Sequence, residues 1–196
     1  KFRALEIRRY LVFVVVAFLP VSLVLVCPTK ATAASENTLS ISNGFSHSCG
    51  TLIDGTVKCW GRNLTGQLGD GTKTDKSIPT LVADLSGVSA IASGSFHTCA
   101  LMSDTTVKCW GFNGSGQLGD GTTLSRTKAT TVTGLDKAVA ISVGASHSCA
   151  LLSDKTVKCW GSNSYGQLGV SGVSSSSTPI PVAGLSNVVS LSTGAN

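Results

Sequence analysis

The stretch G-F-S-H-S-C-G-T-L-I-D-G-T-V-K-C-W-G-R-N-L-T-G-Q-L-G-D-G runs from Gly44 to Gly71. It returns twice without a gap, from Gly94 and from Gly144. Histidine falls at His47, His97 and His147. Cysteines pair at Cys49/Cys59, Cys99/Cys109 and Cys149/Cys159, and tryptophan follows at Trp60, Trp110 and Trp160. The period is 50 residues throughout. A fourth copy begins at Val189 and reaches Gly194-Ala195-Asn196, where its histidine is due. A fixed period of this length marks stacked supersecondary units, so it is weighed before local propensity.

Within one copy the pattern predicts short strands. Residues Val139 to Val143 alternate apolar and small side chains. His147 to Leu152 predicts a second strand, Ser153-Asp154-Lys155 a polar turn, and Thr156 to Trp160 a third strand that pairs back as a hairpin. Asp54-Gly55 marks the same turn in the first copy. A fourth strand is expected near Pro179 to Ala183, at an edge where a residue without an N–H is tolerated. The turn after each tryptophan, Gly-x-Asn-x-x-Gly-Gln-Leu-Gly, is rich in a residue that supplies positive φ or close backbone approach. Four short strands per unit of this length is the profile of a propeller blade.

The combined pattern, G-x-x-H-(S/T)-C-A-L-x-x-D-x-x-V-x-x-W-G-x-N-x-x-G-Q-L-G, resembles the RCC1 repeat, named for the regulator of chromosome condensation. The resemblance covers residues ~41–196, and about a dozen positions match in register in each of the three copies. Kelch repeats have a similar length but carry a Gly-Gly doublet that is missing here. The resemblance implies an all-β fold, an RCC1-type β-propeller, whose family members typically have seven blades. This chain accounts for blades at approximately 41–90, 91–140 and 141–190 and the start of a fourth at 191–196. The sequence therefore reads as a fragment at both ends.

Residues 34–196 are preceded by a segment of another kind. The net charge is +5, but residues 1–33 hold Lys1, Arg3, Arg8, Arg9 and Lys30 against Glu6 alone. The remainder has ten basic and nine acidic residues, scattered singly. A nucleic-acid binder should carry a basic face or stripe, and none is present. Residues 10–27 are almost continuously apolar, and Ala31-Thr32-Ala33 supplies the small residues of a cleavage site. We read 1–33 as an apolar export helix, either a cleaved signal peptide or an uncleaved membrane anchor. Either places the repeats outside the cytoplasm, because the positive end stays in. Cys27 belongs to that segment.

The other six cysteines admit two readings. The midpoint of each pair falls on the turn, at Asp54, Asp104 or Asp154. The two cysteines are then opposed on neighbouring strands, with Cα atoms about 4.5 Å apart, within disulfide reach. An exported chain meets the oxidising compartment such bonds need, and we expect Cys49–Cys59, Cys99–Cys109 and Cys149–Cys159. The competing reading is a metal held by His47, Cys49 and Cys59 or their counterparts. Its spacing does not fit the usual C-x2-4-C or H-x3-5-H, so no metal or cofactor is expected. The histidines are expected to be buried rings that fix the strands through backbone hydrogen bonds. The tryptophans are expected to pack the blades.

Nothing in the repeats predicts catalysis. The aspartates at 54, 70, 104, 120 and 154 sit in turns and recur with the repeat, which suits side-chain-to-backbone turn bonds. The run Ser174–Ser177 reads as solvated linker. Asn63-Leu64-Thr65 and Asn113-Gly114-Ser115 match the glycosylation sequon at a fixed repeat position. We expect a non-catalytic, extracellular or cell-surface scaffold that binds protein, with the membrane met only through the N-terminal segment. The stretches that differ most between copies, 73–78, 123–128 and 170–178, are the expected contact loops. The resemblance adds two alternatives. One is guanine-nucleotide exchange, the activity of the nuclear founding member, which an exported chain disfavours. The other is inhibition of a secreted enzyme, since bacterial relatives include a β-lactamase-inhibiting propeller.

Overall fold

The computed structural model describes residues 38–195. The expected export segment lies outside the described residues. Among the described residues there are twelve strands and no helix, so none is long and apolar enough to cross a membrane.

Three four-stranded antiparallel sheets follow one another along the chain. The first joins β1 (Thr38–Asn43), β2 (His47–Leu52), β3 (Val57–Gly61) and β4 (Lys76–Leu81). The second joins β5 (Val88–Ser93), β6 (His97–Met102), β7 (Val107–Gly111) and β8 (Arg126–Thr131). The third joins β9 (Ala138–Val143), β10 (His147–Leu152), β11 (Val157–Ser162) and β12 (Ser175–Pro181). In each sheet the spatial order is the chain order, which is the order of a propeller blade.

The core lies between blades. Cys49, Val57, Cys59, Leu68, Val82 and Leu85 of the first blade enclose Val88, Ala100, Met102 and Trp110 of the second. The same positions one repeat later enclose Ala138, Ala150, Leu152 and Trp160 of the third. Strands buried on both faces lose the simple inside–outside alternation, so His97–Met102 is buried at every residue. Leu68 and Leu118 are fully enclosed, a burial that stabilises by about 1.5–3 kcal/mol per side chain.

The outermost strand departs from expectation. It spans Ser175–Pro181, several residues before the stretch expected near Pro179 to Ala183, and takes in Ser175, Ser176 and Ser177, which had read as linker. Hydroxyl side chains carry no hydrophobic alternation, yet this strand is held through its backbone. It pairs with β11 from Ser162↔Ser175 to Lys158↔Pro181. The turn of the preceding blade then docks on it, with Gly121 N–H donating to the Ser177 carbonyl at 2.9 Å. Gly71 N–H does the same to Thr127 on β8. Stretches 73–78, 123–128 and 170–178 therefore run from a loop into an outer strand.

Candidate functional site

The hairpin β2–β3 and its repeats place the marker residues. Cys49↔Cys59, Cys99↔Cys109 and Cys149↔Cys159 are directly opposed pairs. Each is disulfide-bonded, with Cα atoms 4.1 Å apart. With the sulfurs joined, the set His47, Cys49 and Cys59 offers no thiolate to a metal. At each hairpin tip an aspartate closes an Asx turn. Asp54 Oδ1 accepts from Thr56 Oγ1 at 2.7 Å and Thr56 N–H at 2.9 Å, and Asp104 and Asp154 repeat it. The threonine hydroxyl, then its N–H, holds each of these carboxyls below its ordinary pKa.

The histidines do something that a single repeat cannot reveal. Their rings are buried, but for His47 and His97 the partner is a hydroxyl of the next blade, not the backbone. His47 Nε2 lies 2.8 Å from Thr98 Oγ1, and His97 Nε2 lies 2.9 Å from Ser148 Oγ. Each hydroxyl spends its own proton on a carbonyl, Thr98 on Gln67 at 3.1 Å and Ser148 on Gln117 at 3.0 Å. The hydroxyl must therefore accept from the ring, which fixes Nε2–H as the protonated nitrogen. The same carbonyls accept the indole N–H of Trp110 and of Trp160, both at 2.9 Å. Histidine, hydroxyl, glutamine carbonyl and tryptophan thus form one relay across each blade junction. Gly69 makes room for it: its φ is +69°, and a Cβ there would stand 2.7 Å from Trp110 Nε1.

Nδ1 of His47, His97 and His147 is buried without a partner. Protonation would put a charge there, so burial lowers His47 to about 4. Burial, and then the charges of His47 and His147, lowers His97 to about 3. Burial also lowers His147. The rings of His47 and His97 are thus neutral hydrogen-bond donors at physiological pH. Trp60 differs from Trp110 and Trp160 in being half-buried.

The loop after each tryptophan is organised around a buried asparagine. Asn63 Nδ2 donates to Asp70 Oδ1 and the Thr74 carbonyl, each at 3.1 Å, and to the Thr72 carbonyl at 3.2 Å. Its Oδ1 accepts Leu68 N–H at 3.0 Å. Asn113 repeats the arrangement. Asp70 and Asp120 are pushed up by burial. Asp70 is pulled further down by Thr72, Asn63 and Lys76, and Asp120 by Thr122 and Arg126, so both sit below the ordinary carboxylate value.

What remains outside this framework is one end of the blades. There the loops between first and second strands meet the turns that follow the third. Phe45 is 78% exposed, and its ring centroid lies 6.1 Å from that of Phe96. Phe96, Phe112 and Thr65 line a notch of about 260 Å³ whose open wall is apolar. A shallow dish of about 340 Å³ lies beside it, lined by Phe45, Asn43, Ser93, Val143, Thr193 and neighbouring glycines, with no ionisable residue in its lining. Sequence reading passed over the phenylalanines, though a signal was present. The repeat puts Ser95 and Ala145 where Phe45 stands, Ser46 and Ser146 where Phe96 stands, and Ser162 where Phe112 stands.

Comparison with known proteins agrees with this architecture. Two family models, each described as the regulator of chromosome condensation (RCC1) repeat, match the chain three times. One matches 39–67, 88–117 and 138–167; the other matches 54–101, 106–151 and 156–196. Prp20p from Saccharomyces cerevisiae superposes with a TM-score of 0.73 at 24% identity, over 84% of this chain and 43% of that one. Human WBSCR16 superposes with a TM-score of 0.71 at 23% identity, over 80% of this chain and 42% of that one. The E3 ubiquitin-protein ligase HERC2 of Homo sapiens is 36% identical over 58 residues, 30% of this chain and 1% of HERC2. The chain thus spans less than half of each of these relatives. With well over half of its residues matched in register by the repeat model, the chain belongs to the RCC1 repeat family, and its described residues are three blades of an RCC1-type β-propeller.

Proposed function

We propose that this protein is a non-catalytic β-propeller scaffold, extracellular or on the cell surface, that binds another protein through the loops at one end of its blades. The observation that carries this is a contrast. Residues that recur every 50 positions are spent on the blade framework: histidine, cysteines, tryptophan, asparagine, glutamine and turn aspartates. Phe45, Phe96 and Phe112 break the repeat and stand at one end. Rigid elements with variable loops are how repeat proteins present binding surfaces. The basic-then-apolar N-terminus and the three hairpin disulfides support a place outside the cytosol.

A second reading comes from the family. Yeast Prp20p is described for its binding to Gsp1p and histones, so nucleotide exchange on a cytosolic GTPase is the alternative, as is inhibition of a secreted enzyme. Peptide mapping of the native protein under non-reducing conditions separates the first two. The scaffold outside the cytosol requires the pairs 49–59, 99–109 and 149–159. Six free thiols in a cytosolic fraction, together with faster nucleotide release from a GTPase, would favour exchange and remove the proposal.

A further inference from the structure

We infer that Ser174 and Ser175, where the chain enters the outermost strand of the third blade, are acceptors for O-linked sugar. This goes beyond the scaffold function proposed above and rests on its placement outside the cytosol. Three observations point to these two residues. The first is composition. Ser174-Ser175-Ser176-Ser177-Thr178 runs into Pro179-Ile180-Pro181, and residues 170–181 carry no charge. A run of hydroxyl residues with proline is the composition of O-glycosylated segments.

The second is release from the framework. In the first blade Asp75 Oδ1 accepts Asn63 N–H at 2.7 Å, and in the second Ser125 Oγ accepts Asn113 N–H at 3.3 Å. In the third blade Asn163 N–H donates instead to the Ser174 carbonyl at 2.8 Å. Ser175 occupies the repeat position of Asp75 and Ser125 and is left without that task. Among the described residues neither its hydroxyl nor that of Ser174 makes a hydrogen bond. The third observation is room. Ser174 and Ser175 are exposed, and β12 is the edge strand of its sheet. Ser176 and Ser177 are half-buried. Ser176 Oγ donates to the Thr178 carbonyl at 2.6 Å, and a Cβ on Gly116 of the preceding blade would stand 2.6 Å from Ser177 Cα. That confines the sugar to the first two serines.

The transfer is a substitution at the anomeric carbon. The serine oxygen attacks a sugar carried on a nucleotide or lipid phosphate, and the bond from that carbon to the phosphate oxygen breaks. The serine proton passes to the base of a glycosyltransferase on the export route, and nothing is oxidised or reduced. A sugar here would also guard an edge. Charged side chains keep exposed edge strands from pairing with other chains. Lys76 stands on β4, and Arg126 and Lys128 on β8, but β12 has no charged residue.

The native protein, purified from its own source and digested with trypsin without reduction, tests this. No Lys or Arg lies between Lys158 and Asn196, so one fragment carries both Cys159 and the serine run. That fragment should carry whole hexose or N-acetylhexosamine increments, removed by alkaline β-elimination, while joined to the peptide of Cys149. Ser174→Ala combined with Ser175→Ala, expressed in the same host, should lose every increment and keep its thermal midpoint. A bare fragment, phosphate in place of sugar, or sugar that survives the double variant overturns the assignment. The disulfide separates two kinds of failure. A bare fragment still joined to the Cys149 peptide removes the sugar alone; a bare fragment with a free thiol removes the placement outside the cytosol as well.

Discussion

His47 on β2 and Thr98 on β6 are separated by a full repeat, yet the ring Nε2 and the hydroxyl oxygen lie 2.8 Å apart inside the junction of two blades. The hydroxyl passes its own proton to the Gln67 carbonyl, which also holds Trp110. A single histidine therefore reports on whether its neighbouring blade is in place.

Removing the middle of the relay should cost more than one hydrogen bond. Ser148→Ala strands the buried Nε2–H of His97 and takes one donor from the Gln117 carbonyl. An unsatisfied buried donor costs about 1–3 kcal/mol. Ser148→Thr copies the first junction, where Thr98 does the same task, and should be close to neutral. Urea unfolding of the two variants checks this; equal losses would refute the relay.

Stability should fall on mild acidification. The folded state holds His47 at about 4 and His97 at about 3, below the ordinary 6.5. Below pH 6.5 the unfolded chain therefore binds more protons than the folded one. The stabilisation is complete above pH 6.5 and drains away as pH drops toward about 4. The His47 contribution reaches about 3 kcal/mol at the bottom of that window. The carboxyls of Asp70 and Asp120 are lowered from 3.8 and add their loss only below it. Urea midpoints at pH 7, 6 and 5 should decline in order, while NMR shows the His97 ring neutral at pH 5. A flat profile would contradict the burial of unpartnered Nδ1.

The hairpin tips carry a correctable strain. Thr105 has φ +69° and Lys155 φ +65°, where the first blade uses Gly55 at +77°. A β-branched residue in the left-handed region is disfavoured by roughly 1 kcal/mol or more. Thr105→Gly should raise stability by a few tenths to about 1 kcal/mol, read as an increased melting temperature. A decrease would mean that the side chain contributes more than its backbone costs.

Both sequons should remain bare in folded protein. Asn63 and Asn113 are fully buried, and their amides are occupied by loop oxygens. Expression through a glycosylating secretory pathway should give folded, disulfide-bonded material of unmodified mass at both sites. A glycan on Asn63 in protein with a native melting transition would contradict the packing of this loop.

The blades were legible because their markers repeat. Cysteines symmetric about Asp54, Asp104 and Asp154 define the hairpins, since opposed residues must be equidistant from a tip. The outer strand was not legible. Ser175–Ser177 has no alternation to read, and its place is set by pairing with β11 and by a turn from the preceding blade. Histidine partners were hidden for a related reason: they lie one repeat away, where no local pattern points. The aromatic end is hard to read because its residues are isolated substitutions inside well-matched repeat positions, not long divergent stretches. Single departures at fixed positions, such as Phe96 for Ser46, carried the information.

The central claim is that repeated residues build the propeller and the non-repeating aromatic end binds its partner. A photo-crosslinking side chain placed at Phe112, and in a second sample at Asp104, tests it in the full-length protein in its native setting. These positions lie at opposite ends of β7, so the second reports on the far end of the same blade. The account predicts a discrete protein adduct from position 112 and none from 104. An adduct from 104 with none from 112 would contradict it.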